Sequence, residues 1–235
     1  MTATLGRKVV AEAVGTALLV AVVVGSGIAA ERLSTDPGLR LLESSLATAG
    51  ALVALILAFG SVSGAHLNPV VTLADRVFGG TTTRELAAYV PAQIIGGCAG
   101  AIVANVMFDL DPVTLSTHAR SSGGLWLGEV VATFGLLLVI LGVVRSGRAA
   151  SAPFAVAGYI AAAYWFTSST SFANPAVTIG RTLTDTFAGI EPASAPAFLL
   201  MQVIGAGLAI ALARYLHPDR PTADLIVPHD HADAA

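Results

Sequence analysis

Six stretches of this chain run almost without charge for the length of a bilayer crossing: residues 9–30, 44–62, 86–108, 125–144, 149–166 and 193–216. A helix needs about 20 consecutive apolar residues to cross the hydrocarbon core, and each stretch is close to that length. A soluble domain would instead carry helices with one solvated, charged face. The composition agrees, with 55% hydrophobic and only 11% charged residues among 235, well below the charged share of about 25% usual in soluble domains. The reading is an all-α membrane protein of six transmembrane helices.

Other classes fall away on the same residues. A net charge of −3 and the lack of a basic stripe argue against a nucleic-acid partner. The single cysteine, Cys98, excludes a disulfide scaffold or a multi-cysteine metal site. No Cys-His or Ser-His-Asp set converges, so neither an enzyme nor a cofactor is expected. Arg7 and Lys8, followed by an apolar run ending in Gly27, Ile28, Ala29 and Ala30, look like a secretory signal. Glu12 interrupts that run and a later span repeats its pattern, so the segment is read as part of the fold. With an N-terminus inside, eight basic residues (Arg7, Lys8, Arg76, Arg84, Arg145, Arg148, Arg214, Arg220) fall in inner loops and four (Arg32, Arg40, Arg120, Arg181) in outer ones. This bias predicts cytoplasmic termini in the cell (inner) membrane.

Two short segments do not fit six simple spans. Asn68-Pro69-Val70-Val71-Thr72-Leu73 and Asn174-Pro175-Ala176-Val177-Thr178-Ile179 are too short to cross, and each opens with an N-cap residue and a proline suited to the first helical position. They predict two half-helices preceded by extended backbone. The halves of the chain also echo each other: Glu12 in AEAVGTALLV and Glu129 in GEVVATFGLLLV, one Asn-Pro segment in each, then Gln93 in AQIIGGCAGA and Gln202 in MQVIGAGLAI. Three spans per copy is an odd number, so the second copy enters the membrane inverted, which places the functional site near the midplane. One domain over residues 1–216 is expected, with repeats at about 8–108 and 124–216.

Half-helices entering from opposite faces bring their N-termini, with unpaired N–H groups and partial positive charge, together at the centre. Asn68 and Asn174 would cap them through oxygen and present N–H donors to a solute. Gly64, Ala65, His66 and Leu67, with Ser171, Phe172 and Ala173, would form a ladder of free carbonyl acceptors, tolerable in a membrane only along a water-filled path. Such a path replaces the hydration of a small neutral molecule and leaves an ion poorly compensated.

The segments SGAHLNPVVTLA and FANPAVTIG resemble the two signature loops of the aquaporin, or major intrinsic protein, family, and the likeness runs from Glu12 to about Leu216. It implies six spans with two re-entrant half-helices, passive flux, a homotetramer, and Glu12 and Glu129 holding the loops by hydrogen bonds. A rival reading makes those glutamates proton relays of a coupled transporter. The chain departs from the family where Val177 stands in place of the filter arginine. Arg181, one helical turn on, is expected to face the outer vestibule or a neighbouring helix without replacing that charge.

The remaining filter positions, carried over by spacing, are Thr48, Ser171 and Ala162, the last to within a residue. That set is small and mostly apolar, and it predicts an opening wide enough for polyols, urea or undissociated metalloid hydroxides such as arsenous acid, besides water. It resembles a bacterial branch associated with arsenical movement; a water-selective pore is the alternative. Leu199 leans toward the glycerol facilitators, whereas the short second loop leans away. Val70 in the first triplet is read as a packing adjustment and His66 as a loop residue without metal partners. Residues 217–235, with His229, Asp230, His231 and Asp233, are expected to form a disordered tail.

Overall fold

The first span begins where a threonine ends the coil: Thr4 accepts from the Arg7 amide and caps α1, Leu5–Leu33. Similar chemistry opens most of the others in the computed structural model, which describes residues 3–217. Asp36 and Pro37 start α2, Pro37–Ser63, earlier than the apolar run alone indicates. A capping box between Thr82 and Glu85 starts α4, Thr83–Met107, and Ser122 starts α5, Gly123–Arg145. A short 3₁₀ turn leads into α6, Ala152–Phe166, and α8 runs Ala195–Leu216. With that turn counted, six of these segments are long and apolar enough to cross a membrane. The His229 to Asp233 tail lies outside the described residues.

The two Asn-Pro segments form the expected half-helices, α3 (Pro69–Phe78) and α7 (Pro175–Gly180), each with its asparagine at the N-cap and proline in the first turn. A further 3₁₀ turn, Arg181–Leu183, extends α7. Packing follows the repeat: α1 lies against α4 as α5 lies against α8, and α3 meets α7 at their tips. The architecture is an inverted repeat of three spans and a half-helix.

Glycine lets the principal pair approach closely. A Cβ at Gly96 would sit 2.2 Å from the Ala13 carbonyl oxygen, and one at Gly100 2.1 Å from that of Ala17. Without a side chain the two backbones lie in contact, the mode of association that works in lipid, where no hydrophobic force drives helices together. Gly100→Val is therefore expected to lower the thermal midpoint of the purified protein, by an overpacking cost of about 1–3 kcal/mol. Gly207→Ala, where a Cβ meets nothing within 4 Å, should leave it unchanged. Equal midpoints for both variants would contradict this packing.

Candidate functional site

Irregular backbone inside a membrane needs a partner for every N–H, and one buried carboxylate serves each loop. Glu12, fully buried, accepts from the His66 amide (2.9 Å) and the Leu67 amide (2.7 Å). Ser63 Oγ and Gln93 Nε2 supply two further bonds, at 2.6 and 2.7 Å. The second copy matches it: Glu129 accepts from the Phe172 and Ala173 amides at 2.9 and 3.0 Å and from Gln202 Nε2 at 2.6 Å. Gln93 and Gln202 also donate to Thr72 and Thr178, whose hydroxyls donate to the carbonyls of Asn68 and Asn174. Loop, supporting helix and half-helix are thus bonded alike in both halves.

The loops are not plainly extended. Gly64, Ala65 and Leu67 have positive φ, as do Thr170, Ser171 and Ala173, while His66 and Phe172 between them do not. Plain extended backbone would turn successive carbonyls to opposite sides; left-handed residues on either side of an ordinary one swing them toward the same side. Among the described residues no hydrogen bond reaches the carbonyl oxygens of Gly64, Ala65, His66, Ser171 or Phe172. Those of Leu67 and Ala173 are engaged. Asn174 Nδ2 donates to Leu67 O at 2.8 Å and Asn68 Nδ2 donates to Ala173 O at 2.8 Å, so each half-helix tip is tied to the opposite loop. Each Oδ1 meanwhile caps its own helix, Asn68 on the Val70 amide and Asn174 on those of Ala176 and Val177. An amide nitrogen carries two hydrogens, and the second is left for a molecule in the cavity.

That cavity passes between the two tips, and its free volume of ≈ 80 Å³ accommodates a short file of water-sized molecules. Apolar side chains line it from Leu19 and Val23 of α1, their counterparts Leu136 and Ile140 of α5, and Val156 and Ile160 of α6. Residues 64–68 and 171–174 line it as well. Thr48, Ser171 and Val177 all border it, and Ser171 Oγ has no hydrogen-bond partner among the described residues. Pro69, Val70, Pro175 and Ala176 do not border it, because the helical turn after each cap rotates them behind the tips; Val70 is buried.

The structure revises the placement of Ala162 and sharpens that of Arg181. Ala162 is exposed on the outer face of α6; a helix turns 100° per residue, and Ile160 and Tyr164 face the cavity instead. Tyr164 is therefore an aromatic residue on the wall, its hydroxyl 3.0 Å from that of Thr48. Arg181, expected at the outer vestibule or a neighbouring helix, is 5% exposed, borders the cavity and lies with its guanidinium carbon 3.5 Å from the Phe172 ring centroid. Its position four residues after Val177, on the same helical face, was the signal for it. His66 borders the cavity with Nδ1 3.1 Å from Thr72 Oγ1 and Nε2 3.6 Å from Asp75.

Known proteins share this plan. The model of the major intrinsic protein family matches residues 1–171. The chain is 50% identical over 218 residues to aquaglyceroporin AqpS of Rhizobium meliloti (strain 1021), covering 92% of this chain and 93% of that one. It is 30% identical over 245 residues to the probable aquaporin AqpM of Archaeoglobus fulgidus, covering 92% and 99%. Among solved structures, the aquaglyceroporin of Plasmodium falciparum superposes with a TM-score of 0.70 over 92% of this chain and 96% of that one, at 17% identity.

The glutamate bonding yields a direct prediction. In Glu12→Gln one carboxylate oxygen becomes an NH2, so whichever oxygen is replaced, two of the four donors now on Glu12 lose their acceptor. Each orphaned donor costs about 1–3 kcal/mol. A lower thermal midpoint together with loss of solute flux is expected; wild-type values for both would show that the loop is held by something else.

Proposed function

The chain belongs to the major intrinsic protein family, and we propose that the wall described above makes it a pore for small neutral molecules bearing hydroxyls. It is a multi-pass membrane protein and a passive channel for small uncharged solutes such as glycerol. The observation that carries the finer reading is that apolar side chains of α1, α5 and α6 and the unbonded loop carbonyls with the two asparagine amides line one cavity. Polyols and undissociated metalloid hydroxides such as arsenous acid suit such a mixed lining, with hydroxyls exchanging bonds with the free carbonyls and asparagine amides. Water fits the same file. Thr48, Tyr164, Ser171 and Val177 are proposed to set the passage, with Asn68 and Asn174 at its centre.

A proton-coupled mechanism is disfavoured by the geometry of the two buried glutamates. Neither borders the cavity, and their oxygens are taken up by loop amides and glutamine side chains. Large apolar residues remain exposed on α1, α2 and α6, among them Val10, Leu46 and Phe154, and support packing against lipid and against further copies in a homotetramer. Six spans put both ends on one side, and the excess of basic residues in inner loops favours the cytoplasmic side of the cell (inner) membrane.

Stopped-flow light scattering on proteoliposomes is the test. Glycerol and arsenous acid should equilibrate faster than in empty vesicles and only down their gradients. Val177→Arg, which adds a long side chain to the cavity wall, should slow glycerol by about tenfold, an added barrier of only about 1.4 kcal/mol. Flux of water alone, or uphill accumulation driven by a proton gradient, would refute the reading.

A further inference from the structure

Arg181 is buried and borders the cavity, and among the described residues its guanidinium has no carboxylate partner. Its Nε donates to the Ala188 carbonyl and its plane rests on the Phe172 ring, but among the described residues neither Nη has a hydrogen-bond partner, and no ion pair involves it. Glu129 is already committed to the loop amides and Gln202. A buried charge without a counter-charge is costly unless it meets water or a ligand, and Arg181 borders the cavity beside Ser171, Thr48 and Tyr164.

A second arginine holds the first in place. Arg120 lies over the same Phe172 ring at 5.1 Å, and its side chain donates to the carbonyls of Gly189 (2.9 Å) and Phe187 (3.4 Å). These flank Ala188, the acceptor for Arg181. The 187–189 backbone therefore fixes two guanidinium groups through three consecutive carbonyls. The loop between α4 and α5 is pinned there too, since Thr114 and Ser116 amides donate to the Leu183 and Thr182 carbonyls.

We propose that Arg181 is the specificity-determining residue of the outer half of the channel. From one turn beyond Val177 its Nη groups repel cations, hydronium included, and donate to the oxygens of a neutral solute, with Ser171 Oγ and the Thr48–Tyr164 hydroxyl pair completing a polar subsite for a centre bearing several hydroxyls. Arg120 is a positioning residue that acts through the 187–189 backbone. This inference rests on the channel reading above and identifies the origin of its ion barrier.

The test uses the full chain in proteoliposomes, with glycerol flux followed by light scattering and proton or potassium leak by an entrapped dye under an imposed gradient. Arg181→Gln is expected to raise the leak by about tenfold or more while glycerol still passes. Arg181→Lys, which keeps the charge, should hold the leak near wild type, and Arg120→Gln should raise it to a lesser degree. Should Arg181→Gln fail to give a monodisperse protein, Arg181→Met, able to keep its place on Phe172, is measured in the same way. A wild-type leak in the neutral variant with glycerol flux intact overturns the inference and leaves the channel reading standing. Absence of glycerol flux in the wild type overturns both.

Discussion

Two stretches of non-helical backbone sit inside a bundle built for lipid, and the carboxylates of Glu12 and Glu129 are what make that possible. Loop amides without acceptors at that depth would each cost several kcal/mol. Each glutamate takes two adjacent amides and a glutamine from the last span of its own half. The loop is thereby fixed to the first and last spans of the half, and only its carbonyls are left for other partners. The functional polarity of the cavity wall is a consequence of where the N–H groups went.

The asparagines then join the halves. Each caps its own half-helix through oxygen and reaches the other loop through nitrogen, so displacing one tip breaks bonds in both repeats. Positive φ at Ala65, Leu67, Ser171 and Ala173 is a conformation that L-residues adopt at a cost, and such strain persists where surrounding contacts over-determine it. Here the paired amide bonds and the crossed asparagines provide those contacts. The halves diverge outside this frame: His66 and Tyr89 of the first repeat make an edge contact at 5.7 Å, where the second has Phe172 and Phe198 at 5.1 Å. The aromatic pair at the second position creates the platform on which Arg181 rests.

Much of this was legible in the residues. Apolar runs and caps located six spans and two half-helices because lipid permits few alternatives to a helix, and the Glu and Gln echoes marked the inverted repeat. The asparagine pair followed from Asn-Pro at two equivalent places, but the expected ladder of free carbonyls loses those of Leu67 and Ala173, which accept from the crossed asparagines. What periodicity did not reveal was rotation. Ala162 faces outward because spacing counted from a distant loop does not determine which side of α6 meets the cavity, and an error of two residues turns a helix by more than half a revolution. The burial of Arg181 was not legible for a different reason: it depends on Phe172, on the 187–189 backbone and on Arg120 from another loop, contacts that arise only when the chain is folded.

The crossed bonds between the half-helix tips are measurable directly. With the Asn68 side-chain nitrogen and the Ala173 carbonyl carbon isotopically labelled, solid-state NMR in lipid bilayers reads their dipolar coupling. A small but resolvable coupling is predicted, that of a carbonyl carbon one C=O bond beyond an oxygen 2.8 Å from the nitrogen. A coupling too weak to detect would mean that the tips do not meet, and the conduit described here would not exist.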